Sequence, residues 1–256
     1  MTPPPASLAE MTEAPTQTRG SRSFGEVHIL THGQLRDVLA INSAVEQKLE
    51  EMGKSHLIAH KTPEQLRGYI GSGHMVGTFE GRELVGYGYL GLTSAENPDA
   101  GVIGMREAGG IYNPQSTAVI QSVMVHPRFW HRGHGKHIVR EQLTLAQRLG
   151  VETLVSMVCT DNPESMHNLL KLGLEATCAG IDPSDGSQVL YLQESLERVR
   201  QRHLGRTLEA SPSRSRLRID PHGKFAETLA LLRAGYRGVA TLGTTPMNLE
   251  MEEPLL

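Results

Sequence analysis

A mixed α/β fold is predicted for this chain, a single sheet with helices packed on it, and three patterns carry the prediction. Residues 75–92 and 175–193 each read as a β-hairpin. Residues 118–149 and 151–173 each read as a buried strand followed by a helix. Residues 34–52 form an amphipathic helix ahead of them all.

The elements follow in order. Residues 1–23 are rich in Pro, Ser, Thr and charge without periodicity, and are expected to be disordered. Residues 26–31 suit a short strand. In residues 34–52, Leu35, Val38, Leu39, Ile41, Val45 and Leu49 recur at helical spacing. Pro63 suits the first turn of a short helix ending at Ile70. The runs 75–80 and 84–92 flank the turn Gly81-Arg82-Glu83. Residues 93–117 make a long glycine-rich connection, and loops of that length in a compact domain are often functional. The apolar runs 118–125 and 151–159 are strands. A helix over 136–149 follows the first. After the second, Asp161 or Asn162 caps the next helix, Pro163 opens it and Gly173 stops it. Strands 175–182 and 188–193 close around the turn Pro183-Ser184-Asp185-Gly186.

Beyond residue 193 the chain continues with a charged helix, 194–204. A flexible linker, 207–216, contains Ser211-Pro212-Ser213-Arg214-Ser215-Arg216. A strand (216–219), a helix (223–234) and a strand (236–242) follow. The segment Leu231-Leu232-Arg233-Ala234-Gly235-Tyr236 loosely echoes Leu170-Lys171-Leu172-Gly173-Leu174, two helix ends with glycine stops. A tail of about forty residues rarely folds alone. It is expected to dock on the core or on a second subunit, and a homodimer is expected. The domain plan is thus 1–23, 24–195 and 196–256.

Composition excludes several classes. The chain has 256 residues and a net charge of −3, which argues against broad nucleic-acid binding, since that wants a basic surface. No apolar run approaches the roughly 20 residues that span a bilayer. Pro3-Pro4-Pro5, Glu10 and Glu13 do not make a signal peptide, so a cytoplasmic protein is expected. Cys159 and Cys178 fall in strand patterns and are expected to be buried, reduced thiols.

The chemical signal lies in Val125-His126-Pro127-Arg128-Phe129-Trp130-His131-Arg132-Gly133-His134-Gly135. A strand ends, a loop exposes consecutive amides, and a helix begins. Such a junction binds anions, because first-turn N–H groups lack helical partners and the helix dipole is positive there. Gly133 and Gly135 allow a phosphate to approach the backbone, and Arg132 and Lys136 add charge. Neither the Walker spacing nor the dinucleotide fingerprint is present. His126, His131, His134 and His137 do not make a metal site, because no Cys or carboxylate is spaced to complete one.

This segment resembles the pyrophosphate loop of the GNAT superfamily of acyl-CoA-dependent N-acyltransferases. There, Gln/Arg-x-x-Gly-x-Gly/Ala follows a strand ending V-x-P; Trp130 takes the Gln/Arg position here. Residues 162–174 resemble the later pattern Asn-x-x-Ser/Ala-x-x-x-Tyr-x-x-x-Gly-Phe. Asn162, Ser165 and Gly173 match, while Leu169 replaces the Tyr that reprotonates the leaving thiolate and Leu174 replaces the Phe. The resemblance implies a GNAT-type central mixed sheet splayed between its fourth and fifth strands, with acetyl-CoA in the gap as co-substrate and no metal. It implies that the amides of His131, Arg132, Gly133, His134, Gly135 and Lys136 take the pyrophosphate. The backbone of Met124 and Val125 would hold the acyl arm and polarise the thioester carbonyl, and Asn162 would hydrogen-bond pantetheine.

For the proton, strand alternation puts Val119, Gln121, Val123 and Val125 on one face. Gln121 could orient a relay water, and Glu107 is the carboxylate candidate if the 93–117 loop folds over the cleft. Tyr87 and Tyr89 could help bind the amine. The expected activity is transfer of an acetyl group to a primary amine of a small molecule by direct attack. The alternatives are a protein acetyltransferase, acting on lysine or an N-terminus, and a noncatalytic acyl-CoA-binding module.

Overall fold

The computed structural model describes residues 27–98, 100–203, 216–242 and 248–254. Segment 1–23 and nearly all of the 207–216 linker lie outside the described residues. The first half runs β1 (Val27–Ile29), α1 (Leu35–Glu51), α2 (Pro63–Gly71), β2 (Met75–Glu80), β3 (Glu83–Leu92), β4 (Thr117–Val125) and α3 (His134–Arg148). The second runs β5 (Thr153–Cys159), α4 (Pro163–Leu172), β6 (Glu175–Ile181), β7 (Gln188–Ser195) and α5 (Leu196–His203). An extension adds β8 (Arg216–Ile219), α6 (Phe225–Arg233), β9 (Arg237–Leu242) and β10 (Asn248–Glu252).

Local chemistry sets the helix ends. Thr62 and Gln65 form a reciprocal capping box on α2, with Pro63 at its first position. Asn162 accepts the Ser165 N–H at 3.1 Å to start α4, and Gly173, at φ +105°, stops it.

The ten strands form one sheet in the order β1-β2-β3-β4-β5-β7-β6-β9-β10-β8. Every neighbouring pair is antiparallel except β4–β5. Strand alternation divides the packing between two faces. On β3, a Cβ at Gly86 or Gly88 would meet Ile138 of α3, whereas Tyr87 points the other way and its hydroxyl donates to Asn42 Oδ1 of α1 at 3.1 Å. Helices α3, α4 and α6 therefore share the back face and the largest core, including Leu90, Ile138, Leu154, Leu170, Ala176, Leu232 and Met251. The front of β1–β4 is covered by α1 and α2 through Val38, Ile41, Leu66, Met75 and Tyr87. The front of β5–β7 is covered by the long loop after β3, whose Val102 and Met105 are buried against Val155, Cys178 and Tyr191.

The extension docks on the core. β9 meets β6 where Gly238 lies opposite Ala176; a Cβ there would stand 2.9 Å from the Ala176 Cβ and 2.8 Å from Leu249 Cδ2. Its topology repeats the preceding unit. In 153–195 the strand–helix–strand–strand chain gives the order β5-β7-β6, and in 216–252 it gives β8-β10-β9. The two units meet as near mirror-ordered halves, with α4 against β9 and α6 against β6. Gly235, at φ +92°, ends its helix as Gly173 does, so the echo between the two helix ends has a structural counterpart. Strand β10 was not expected from sequence; five alternating residues near a terminus are a weak signal. No helix among the described residues is long and apolar enough to cross a membrane.

Candidate active site

The sheet opens between β4 and β5. The two strands pair only at Thr117–Thr153, Ala118–Leu154 and Val119–Val155, although β4 runs on to Val125 and β5 to Cys159. Just past the last pair, Ser156 Oγ donates to the Ile120 carbonyl at 3.1 Å and closes the floor of the gap. Beyond it the walls separate. Residues 117–120 are buried, residues 121–125 are not, and Val123 is 36% exposed in the middle of a strand. The trough is apolar, with backbone groups of β4 left on its outer edge.

A bulge re-aims that edge. Ser122 has φ +48°, a left-handed conformation uncommon for a non-glycine residue, and the β3–β4 register shifts there. The expected alternation is therefore corrected. Val119 packs on the front face with Val102 and Met105, and the Gln121 amide lies against Gly91 and Gly101. After the bulge, Met124 joins the front core, while Val123 and Val125 turn to the back, 3.8 and 3.9 Å from where a Gly135 Cβ would be. The Val125 carbonyl is engaged, accepting Trp130 Nε1–H at 2.6 Å. That bond gives Trp130 a role: it ties the glycine loop back to the end of β4.

In the loop, His131 (φ +61°) and Gly133 (φ +92°) are both left-handed. Gly133 caps α3 without a side chain. The His137 N–H closes the first helical bond to the Gly133 carbonyl at 3.1 Å, so the N–H groups of His134, Gly135 and Lys136 stand outside the helical ladder. Gly133, His131 and Lys136 are exposed. These are the features of an anion cradle at a helix N-terminus. The side chains divide differently from the backbone. The His134 ring is buried at 4% exposure, with Nε2 3.0 Å from Glu80 Oε1, and is edge-on to Phe129. Arg132 lies over Phe129 and 3.7 Å from Glu80. His134 offers the site only its backbone.

Across the gap, Asn162 Oδ1 is committed to capping α4, which leaves its amide group for a ligand. Leu169 and Leu174 are core residues, so α4 brings no phenol to the Tyr position. Next to Asn162, Asp161 Oδ2 is 2.5 Å from Nε2 of His56, which lies between α1 and α2. His56 did not stand out in the sequence, and Asp161 did so only as an alternative to Asn162 for the cap of α4; 105 residues separate them, and only the fold joins them.

The other expected residues are distributed as follows. Gln121 sits at the split. Glu107 is exposed on the loop covering β5–β7, near enough to Tyr191 that its charge adds to the burial holding that phenol neutral. Tyr87 is fully buried beneath α1 and closed to a substrate; burial, and then the Glu46 carboxylate, push its phenol up. Tyr89 is half-buried and stacks on Tyr69, with centroids 4.0 Å apart. His126 Nδ1 accepts the Arg128 N–H, and among the described residues no group of three His, Cys, Asp or Glu is placed to hold a metal ion. Both cysteines are unpaired; Cys178 is buried, and Cys159 is half-buried at the end of β5.

Residues 55–174 match the sequence profile of the Acetyltransferase (GNAT) family. The yncA protein of Salmonella typhimurium, solved with acetyl-CoA, is similar in structure (TM-score 0.50, 16% identity), covering 73% of this chain and 97% of its own. The ribosomal-protein-alanine N-acetyltransferase of Brucella melitensis is similar at TM-score 0.51 and 16% identity, covering 66% and 99%. Ard1 of Thermoplasma volcanium is similar at TM-score 0.50 and 16% identity, covering 67% and 97%. No curated protein matches the chain by sequence. The split sheet, the glycine loop and the matched profile agree, so residues 55–174 carry a match to the acetyltransferase (GNAT) family within a GNAT-like fold.

Proposed function

We propose that this protein moves an acetyl group from acetyl-CoA to a primary amine of a small molecule by direct attack on the thioester. One observation carries the reading: the β4–β5 gap opens beside the amide cradle at residues 131–136, so a single ligand can lay its diphosphate on the cradle and its arm in the apolar trough. The residues fit. The cradle presents N–H groups to an anion, Gly133 and Gly135 hold no bulk over it, and β4 beyond its last pair with β5, residues 121–125, would flank the arm. The Ser122 bulge interrupts the β3–β4 ladder, and a backbone N–H of Met124 or Val125 would polarise the thioester carbonyl and stabilise the developing oxyanion. Asn162 would hold the arm from the other wall. Val102 and Met105 anchor the long loop as a fixed wall in front of β5–β7, which suits a bounded amine better than a long peptide.

The test is direct. Calorimetry with acetyl-CoA should show one site per chain. Release of CoA thiol against a panel of amines should rise with small primary amines and not with lysine-containing peptides. A chain that binds acetyl-CoA but releases no thiol with any amine would be an acyl-CoA-binding module; preference for peptides would make it a protein acetyltransferase.

A further inference from the structure

The β4–β5 gap separates two arms, and at its open end His56 from the first arm meets Asp161 from the second. The first arm carries α1 and α2, packed on β3 and β4, and His56 lies in the connection between them. Asp161 follows β5 and immediately precedes the cap of α4. Their contact, Nε2 to Oδ2 at 2.5 Å, therefore spans the mouth of the gap, and both side chains keep solvent access, 44% and 31% exposed. A second histidine–carboxylate pair, His60 Nδ1 to Glu46 Oε1 at 3.0 Å, lies wholly on the first arm, and that carboxylate is also held by Asn42. It spans nothing.

We propose that His56 is the general base of the transfer, with Asp161 as the positioning residue that holds its ring at the mouth of the gap. The inference rests on the acetyl-transfer reading above. With Nε2–H donated to the carboxylate, Nδ1 carries the lone pair. The surroundings select a cationic acceptor. Asp161, Asp185 and Asp182 all act on the Cys159 thiol at the end of β5 and, after burial, help push it up to about 11. Three carboxylates so placed draw an ammonium toward the gap. An ammonium cannot attack until it loses a proton, which is the step this base supplies.

The balance is simple. The acceptor arrives with three protons on nitrogen. Nδ1 of His56 takes one and releases it to solvent. The freed lone pair attacks the thioester carbon, a C–N bond forms and the C–S bond breaks. A second proton ends on the CoA sulfur, and the third stays on the amide nitrogen. Asp161 is the carboxylate in contact with His56; Lys54, His60 and Lys61 share its connection, and Lys48, Glu50 and Glu51 stand on the last turns of α1 that lead into it.

The experiment compares the full chain with His56→Gln, His56→Ala and Asp161→Asn, reading acetyl-CoA affinity by calorimetry and CoA thiol release with a primary amine from pH 6 to 10. His56→Gln should keep acetyl-CoA affinity within about two-fold and lose roughly 100- to 1,000-fold in kcat at pH 7. The loss should shrink as pH nears the amine's own pKa. Added imidazole should restore part of the His56→Ala rate, which a merely structural bridge would not allow. Asp161→Asn should lose less and move the acid limb of the profile. A wild-type rate and pH profile in His56→Gln, or no rescue by imidazole, overturns the base assignment while leaving the transferase reading intact. Absence of acetyl-CoA binding by the unaltered chain overturns both.

Discussion

Two strand–helix–strand–strand units share one sheet, residues 153–195 and 216–252, and only the first borders a gap. Their strand orders mirror each other, β5-β7-β6 against β9-β10-β8, and both stop their helix with a left-handed glycine. They differ in what lies beyond the outer strand. β5 is followed outward by β4, which pairs for three residues and departs, carrying the Ser122 bulge and the glycine loop. β8 has no strand beyond it among the described residues. The corners differ too. Between β5 and α4, Asp161 reaches across to His56. Between β8 and α6, Asp220 turns back on its own backbone, accepting the N–H groups of His222 and Gly223 at 3.0 Å. The two units share a scaffold, and only the first adjoins the strand that splits away and the glycine loop that follows it.

The largest effect expected from this contrast lies in the glycine loop. Gly135 has ordinary helical geometry and room for a Cβ, 3.8 Å from Val123. Gly135→Ala should fold normally and bind acetyl-CoA almost as well. Gly135→Glu places a carboxylate at the diphosphate cradle and should weaken binding by roughly 100-fold or more, about 3 kcal/mol, with little change in Tm. Gly133→Glu should also abolish binding, with added strain from a side chain at φ +92°. Equal affinity in the alanine and glutamate variants at position 135 would place the cofactor elsewhere.

The next effect tests the second unit. Gly238→Val drives branched carbons into Ala176 and Leu249 at the junction of β6 and β9. It should cost about 2–3 kcal/mol, seen as a lower Tm and faster amide exchange in 216–252, with acetyl-CoA affinity unchanged. In the intact chain β9 occupies the outer edge of β6. Loss of the β9 cover should expose that edge and promote self-association. A variant that lost acetyl-CoA binding in step with stability would mean that the two units are not separable in function.

A smaller effect belongs to the tie across the junction. Thr160 Oγ1 and His222 Nδ1 are 3.1 Å apart, linking the two corners that otherwise differ. Thr160→Val keeps the shape and removes the bond, and should cost about 1 kcal/mol by chemical denaturation.

The region around the gap and the second unit also differ in how visible they were. Strands β4 and β5 and helices α3 and α4 announce themselves through apolar runs and glycine or Asn-Pro punctuation, and the loop at 131–136 reads as an anion site from composition and context alone. What could not be read was anything made by contact. A serine in the left-handed region carries no sequence mark, so the inversion of Val123 and Val125 was invisible. His56 and Asp161 are ordinary surface letters until the fold brings them together. Trp130 looked like a departure from the family pattern, and its bond to the Val125 carbonyl is evident only in three dimensions. In the second unit, β10 is five residues of modest alternation, and its strand character comes from pairing with β8 and β9.

The finest test of the contrast uses Cys159, the last residue of β5, as a reporter of the charge around the gap. Burial raises its thiol first, and Asp161, Asp185 and Asp182 raise it further, to about 11. Only the thiolate alkylates. At pH 8 the native protein should therefore react with iodoacetamide far more slowly than the unfolded chain, and the rate should climb tenfold per pH unit with no plateau below pH 10. Asp161→Asn removes one of the three charges and should speed the reaction by a few fold. Asp220→Asn, at the matching corner of the other unit, should leave it unchanged. If both variants accelerate alkylation alike, the effect is general loosening of the fold. If Asp161→Asn alone does so, the negative field belongs to the corner that faces the gap.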